Sequence, residues 1–511
     1  MIAKLLRGLL MNETPGLNFD DQKVQKLREL QENGVTVYPW KYERTDLARQ
    51  IHETFTDIGH EKSEEVVSVA GRLYTKRSHG KTVFADLGDE SGRIQLYIRK
   101  NDLGDDAFTF FAKNIDIGDI IGVRGHIFRT KVGEVSIWVD EITLLSKSIC
   151  PLPEKYHGLT KVETRYRQRY VDLIVNEEAR AIFHMRSRMT GRLRAYLNDL
   201  GYLEFETPTI QPIYGGANAR PFTTYHNYLE QKLYLRIAPE LYLKRLIVGG
   251  FEKVFEIAKN FRNEDIDTHH NPEFTMVEMY SAYADYHDMM ELTEDLISTI
   301  IREATGSTEI IFADQEISFA SPWKRMSMEE AVMESAGIDI HAHSADELRD
   351  IAEEHRIDGR EKATTPGEYL ALFFEHFVED ALIQPTFIYD FPIENSPLAK
   401  KHRTKPGFTE RFELFVAGME LANGFSELND PLDQMARFEE QDAKRQKGDL
   451  EAQMIDYDFI NALGYGMPPT GGVGIGIDRL VMLATGQNSI KEVILFPSMK
   501  PQKKKDDDEE A

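Results

Sequence analysis

Residues 254–284 read VFEIAKNFRNEDIDTHHNPEFTMVEMYSAYA. Two runs of alternating character, VFEIAKNF and EFTMVEMYSAYA, flank a polar loop, which predicts two strands joined as a long-loop hairpin. In the second run Phe274, Met276, Glu278 and Tyr280 share one face, while Glu273, Thr275, Val277 and Met279 share the other. Charged residues at alternate strand positions fit an antiparallel sheet with one buried face and one face that offers polar groups. A doubly wound parallel sheet would read as more continuous apolar strands.

Working outward, further strand-like runs (LYLRIAP, TFIYDFP, RFELFVAGMELANGF, GGVGIGIDRLVML) alternate with helical patterns over 176–200, 285–303, 328–336, 345–355 and 366–381. Residues 161–500 therefore read as an α+β domain, an antiparallel sheet flanked by helices, with a helical insert at about 328–382. Before it, short β-branched segments separated by Gly and Asp turns fill residues 66–149 and predict a small closed β-barrel of the OB-fold kind. CPLPEKYHG marks a linker over 150–160. Residues 1–65 form an N-terminal extension with one helix stopping at Gly34. The end, 501–511, reads as a disordered charged tail.

The 511 residues carry 61 Lys+Arg against 86 Asp+Glu, a net charge of −25. A generic nucleic-acid binder would be basic, so any RNA-binding surface must be local. The barrel stretch 66–147 meets that condition, with twelve Lys/Arg against eleven Asp/Glu. One cysteine, Cys150, excludes a disulfide framework and a Cys-based zinc site within one chain, and fits a reducing compartment. The N-terminal apolar stretch is short and interrupted by Lys4 and Arg7, so no membrane span and no signal peptide are expected.

Four groups of residues can carry chemistry. Arg262, at the end of the first strand, can hold a phosphate or carboxylate bidentately, or serve as a surface ion-pair partner. Phe274, Glu278 and Tyr280 on one face suit a cation or a purine, or plain packing. Glu413, Glu420 and Glu427 recur at sevens, with Asn423 between. A bulge or turn near Ala417-Gly418 is needed to bring Glu413 and Glu420 together, and Mg²⁺ bound to phosphate is their natural companion. In an acidic chain the triplet can equally be coincidence. Lastly, GGVGIGIDR is neither a Walker A loop nor a Rossmann fingerprint. It offers either an anion site at a helix N-terminus or tight strand–helix packing.

Taken in order, GYLEFETP (201–208), FRNE (261–264) and GIGIDR (474–479) resemble the three signature motifs of class II aminoacyl-tRNA synthetases. YGGANARPF, LRIAPELYLKRL, NGFSELNDP and PPTGGVGIGIDRLVML are similar to the bacterial-type, subclass b lysyl-tRNA synthetases, over roughly residues 20–500. The resemblance implies a ligase that activates L-lysine with ATP and passes it to the 3′ end of tRNA(Lys). It implies Mg²⁺ and no zinc, a homodimer, and a cytoplasmic setting without membrane. It assigns ATP to Arg262, Glu264, His269, His270, Phe274, Glu413 and Arg479, with Arg262 and Arg479 catalytic. Mg²⁺ falls to Glu413 and Glu420. Lysine falls to Gly215, Gly216, Glu240, Arg262, Glu278, Tyr280, Asn423 and Glu427. On the barrel it assigns the anticodon to Arg77, Phe84, Gln95 and Glu134, although Phe84 alone could be a barrel-core aromatic. RYRQRY (165–170) reads either as a basic strip towards tRNA or as a dimer-contact helix.

A physical argument agrees. A pocket for lysine must cancel a buried side-chain cation, and the strands supply Glu240, Glu278 and Glu427; a pocket for aspartate would need Arg or Lys. One departure stands out: His269 occupies a position where the family usually has Arg, next to His270, and histidine is only partly charged near neutrality.

Overall fold

The computed structural model describes residues 17–153, 159 and 161–501. Residues 1–10, the charged tail from 502 and the middle of the linker, 154–158, lie outside the described residues. The chain divides into two units, Met1–Leu159 and Thr160–Ala511. Among the described residues no helix is long and apolar enough to cross a membrane.

The first unit is a closed barrel of β1 (Val66–His79), β2 (Thr82–Gly88), β3 (Arg93–Arg99), β4 (Ile120–Arg129) and β5 (Val135–Ser146), in the order β1-β2-β3-β5-β4. Inward positions are aliphatic: Val83, Ala85 and Leu87 of β2 and Ile94, Leu96 and Ile98 of β3 join one core. The alternation puts Phe84 on the outer face, half-buried against Tyr97 with ring centroids 5.0 Å apart. The barrel-core reading of Phe84 is thereby excluded.

The second unit is built on an eight-stranded sheet. Its short early strands are β6 (Leu203–Glu204), β7 (Ile210–Gln211), β8 (Thr223–His226) and β9 (Gln231–Leu235). Then come β10 (Lys253–Phe261), β11 (Glu273–Ala282), β12 (Glu309–Phe312), β13 (Gln315–Ser318), β14 (Lys324–Ser327), β15 (Thr386–Pro392), β16 (Phe408–Val416), β17 (Met419–Ser426) and β18 (Thr470–Gly476). The main sheet runs β14-β15-β16-β17-β18-β11-β10-β6. The pairings from β15 to β10 are antiparallel, and only β14 and β6, at the two edges, pair in parallel. β10 and β11 are the hairpin read from the sequence, joined by the loop 262–272.

One face of this sheet is buried under two long helices. Glu177–Asp199 starts at an Asn176 N-cap, and Tyr286–Thr305 starts at an Asp285–Asp288 capping box and stops at left-handed Gly306. Leu193, Leu197, Ile297 and Ile300 from these helices meet Val277, Met279, Val473 and Ile475 from the strands. Each such side chain contributes roughly 1.5–3 kcal/mol on burial. The insert between β14 and β15 holds helices Met328–Ala336, Ala345–Glu354 and Pro366–Phe377, and packs its own core. The opposite face of the sheet remains open, and the candidate site lies on it.

The RYRQRY run is tied down inside the second unit. Arg169 is fully buried and bonds Asp172 at 2.7 Å, and Arg165 bonds Asp172 and Glu492. A basic strip offered to tRNA is therefore not what Arg165 and Arg169 form.

Candidate active site

Two adjoining cavities occupy the open face. The first, about 250 Å³, is lined by Gly216, Glu240, Arg262, Glu278, Tyr280, Arg411, Glu413, Glu420, Asn423 and Glu427 among others. The second, about 160 Å³, is lined by Arg262, Glu264, His269, His270, Phe274, Glu420 and Arg479 among others. Arg262, Met276, Glu420 and Gly474 belong to both.

The floor of the first cavity explains the glycine run. β18 lies between β11 and β17, and its open-face positions are Gly472, Gly474 and Gly476. Gly472 pairs with Tyr280 on one side and Phe425 on the other; Gly474 pairs with Glu278 and Asn423. Each large side chain of the site thus stands opposite a missing one, which leaves a trough along the central strand. A Cβ on Gly472 would collide with Glu427 Oε1 and come within 2.6 Å of the Tyr280 ring. Gly472→Ala should therefore raise the KM of the first-cavity ligand about tenfold or more, since overpacking costs about 1–3 kcal/mol. Substrate titration alongside thermal unfolding checks this; an unchanged KM would mean that the trough can widen freely.

The first cavity is acidic. Glu240 and Glu278 are each 5% exposed and Glu427 is 1% exposed. Burial, then repulsion from Glu240, pushes Glu278 up to about 8, even though Tyr280 Oη donates to it at 2.9 Å. Burial also raises Glu240 and Glu427. Glu427 forms an ion pair with the buried Lys244, and neither of its oxygens has a further hydrogen-bond partner. Gly216, at φ +90°, donates its N–H to Gln453, and a Cβ there would sit 3.0 Å from those of Ala238 and Glu240. Gly215 does not line the cavity: it packs on Leu241, behind it. Its small size serves packing rather than direct contact.

The turn needed between Glu413 and Glu420 is present. Ala417 (φ +54°) and Gly418 (φ +70°) reverse the chain, and a bulge at Leu414/Phe415 shifts the register. Glu413 bonds Arg411 at 2.5 Å and receives Asn423 Nδ2 at 3.3 Å. Burial, opposed by Arg411 and reinforced by Glu420 and Glu379, lifts Glu413 to about 8. Glu379, from the insert, is itself lifted to about 7 by burial and by Glu420. Carboxylates gathered this way lack positive charge, which a divalent cation supplies. Among the described residues no three His, Cys, Asp or Glu side chains form a metal cage. Such a donor set suits Mg²⁺ shared with phosphate oxygens rather than a metal held by protein alone.

In the second cavity the guanidinium of Arg262 lies 5.1 Å over the Phe274 ring, and its Nε is buried without a partner. Arg479, from helix Ile477–Thr485, bonds the carbonyl of Glu420 and reaches His270 Nε2 at 3.3 Å. His270 Nδ1 meets Asp267 at 2.8 Å, which orients the ring as a donor to Asp267 and an acceptor from Arg479. Asp478 is not Arg479's partner. It takes Arg186 and the Thr275 N–H, and so pins this helix to β11. Glu264 is exposed at the rim. His269 Nδ1 has no partner, and burial together with Arg479 pulls its pKa below 6.5. At pH 7–8 it is therefore mostly uncharged. His269→Arg should lower the KM of an anionic second-cavity ligand at pH 7–8 and remove any gain in grip below pH 6.5. Profiles identical to wild type across pH 5.5–8 would contradict this.

On the barrel, Arg77 pairs in register with Phe84, and Gln95 is bonded by Ser136 and donates to Glu134 at 2.9 Å. All four residues assigned to the anticodon thus lie on the outer face of β1, β2 and β3 and at the start of β5. Sequence reasoning missed Lys244, Arg411 and Glu379. Arg411 was findable, two places before Glu413 on the same strand face. Glu379 was not, because only the tertiary fold brings the insert to the sheet.

The open face of the antiparallel sheet thus carries a trough and two cavities joined through Arg262. Residues 161–500 match the model of the tRNA synthetases class II (D, K and N), and 67–145 match an OB-fold nucleic acid binding domain. The chain belongs to the class II tRNA synthetases of the D, K and N group. Relatives include the lysine–tRNA ligase of Methanoculleus marisnigri, 69% identical over 94% of this chain and 95% of the relative. That of Methanospirillum hungatei is 66% identical over 96% and 97%. That of Syntrophomonas wolfei is 54% identical over 94% and 96%.

Proposed function

We propose that this chain is a lysine–tRNA ligase, with lysine in the first cavity and ATP in the second. The observation that carries the reading is three buried carboxylates, Glu240, Glu278 and Glu427, joined through Arg262 to a second cavity lined by Phe274 and Arg479. Aspartate or asparagine would gain nothing from such a lining, whereas a side-chain ammonium is matched there.

The lysine carboxylate attacks the α-phosphorus of ATP in line, forming the lysyl-adenylate while pyrophosphate leaves. The 3′-terminal hydroxyl of tRNA(Lys) then attacks the adenylate carbonyl, and AMP leaves. The protein contributes position and charge rather than covalent chemistry. Arg262 spans the junction and holds the carboxylate and α-phosphate. Glu427 and Tyr280 lie at the ε-ammonium, Asn423 beside the carboxylate, with Glu240, Glu278 and the Gly215-Gly216 turn shaping the rest. Glu264 reads the adenine amino group, Phe274 and Arg479 cover the ring faces, and His269 and His270 face the phosphate tail. Glu413 and Glu420, with Glu379 beside them, would hold Mg²⁺, which neutralises phosphate charge when bound. The outer barrel face, with Arg77, Phe84, Gln95 and Glu134, takes the anticodon by stacking and base-edge hydrogen bonds. The working form is a cytoplasmic homodimer.

Charging tests the reading against acceptors other than tRNA. Purified protein with ATP, Mg²⁺ and labelled lysine should load a tRNA(Lys) transcript and not one with a foreign anticodon. Lysine activation without any tRNA product would point to another acceptor.

A further inference from the structure

Behind the acids of the first cavity lies a buried cation for which the reading above has no use. Lys244 lies one turn beyond Glu240 on the helix Glu240–Val248, and its side chain is wholly buried. Its Nζ sits 2.5 Å from Glu240 Oε1, contacts Glu427 as well, and lies 5.1 Å from the Phe425 ring centroid. A buried ammonium is costly unless it is paired, and here it is paired to two acids of the cavity at once. Arg411 is taken by Glu413 and Asn423, and Tyr280 by Glu278. Lys244 is therefore the protein's own partner for Glu240 and Glu427. Two carboxylates against one ammonium leave a single negative charge unmatched.

We propose that Lys244 is a specificity-determining positioning residue: a resident counter-ion that ties Glu240 and Glu427 into one cluster and leaves room for a single further ammonium, the substrate's. This rests on the lysine reading. Without the resident cation the two acids lose the donor that orients them, and a buried, unmatched pair takes up protons instead of awaiting the ligand. The substrate must then displace those protons and re-order both side chains. The penalty falls on ligand binding, not on the chemical step.

The test uses lysine-dependent ATP–pyrophosphate exchange on the full chain. Wild-type exchange with lysine establishes the underlying reading; its absence would sink that reading rather than this one. Lys244→Met keeps volume and removes charge. It should raise the lysine KM about tenfold or more while kcat at saturating lysine stays within about threefold, given the weight of a buried ion pair. Lys244→Ala should show the same rise and recover when ethylammonium is added. A Met variant with wild-type KM, or an Ala variant indifferent to the amine, would make Lys244 a packing residue and overturn the proposal. A measurement on the wild type covers the case in which neither variant folds. In a crystal of the lysine complex, the substrate's ε-nitrogen and Lys244 Nζ should both lie within hydrogen-bond reach of Glu427. A Lys244 swung out of that cluster would overturn the proposal equally.

Discussion

Arg262→Gln is expected to remove lysine-dependent ATP–pyrophosphate exchange, lowering kcat/KM by about 10²–10³-fold or more, the scale of losing a donor aimed at developing charge. Arg262 lines both cavities and reaches their junction from the end of β10, with its Nε buried and unpartnered. It is the group placed to meet a carboxylate from one side and a phosphate from the other. A Gln there keeps a donor but loses the charge and the fork that grips two oxygens. The variant should fold, because the side chain makes no ion pair that holds the sheet. Exchange kinetics with a thermal unfolding control decide the matter. Activity within threefold of wild type would remove Arg262 from the mechanism.

Glu278→Gln should raise the lysine KM about tenfold or more, since it removes one of the three buried acids around the substrate's ammonium and a hydrogen bond to a charged group is worth about 1.5–3 kcal/mol. The same change should stabilise the ligand-free protein at alkaline pH. The carboxyl sits at about 8 when folded, through burial and Glu240, against an ordinary 4.5. A raised acid contributes stability that is complete below about pH 4.5 and is lost as pH rises through about 8. The Gln variant lacks that loss. Its advantage over wild type should therefore grow between pH 4.5 and 8, by at most about 1.4 kcal/mol per pH unit. Denaturant unfolding of both proteins at several pH values measures the difference. A gap that is flat with pH would show that Glu278 is ionised throughout.

Much of this site could be read from the chain alone, for a physical reason. Strand alternation is local, so the shared face of Phe274, Met276, Glu278 and Tyr280 was visible in the sequence, and Val277 and Met279 do enter the core behind it. Apolar spacing likewise gave the helices close to where they lie. What stayed hidden depends on partners distant in sequence. Lys244 reads as an ordinary i,i+4 surface partner of Glu240, because nothing in LYLK reveals that Glu427 meets it in the interior. The glycines of β18 suggested either an anion site at a helix start or tight strand–helix packing, whereas their main effect comes from cross-strand neighbours that only the sheet order supplies. Glu379 reaches the Glu413–Glu420 pair from an insert whose docking no local pattern encodes. Arg165 and Arg169 left a basic strip and a dimer-contact helix both open because their partners, Asp172 and Glu492, include one more than three hundred residues away.

The charge of the first cavity sets which amino acid is activated, and amino-acid choice in ATP–pyrophosphate exchange probes it directly. With lysine, arginine, aspartate, asparagine and norleucine each offered alone, the buried acids predict strong exchange with lysine, little with arginine or norleucine, and none with aspartate or asparagine. Exchange that favours aspartate or asparagine, or that treats norleucine like lysine, would contradict it.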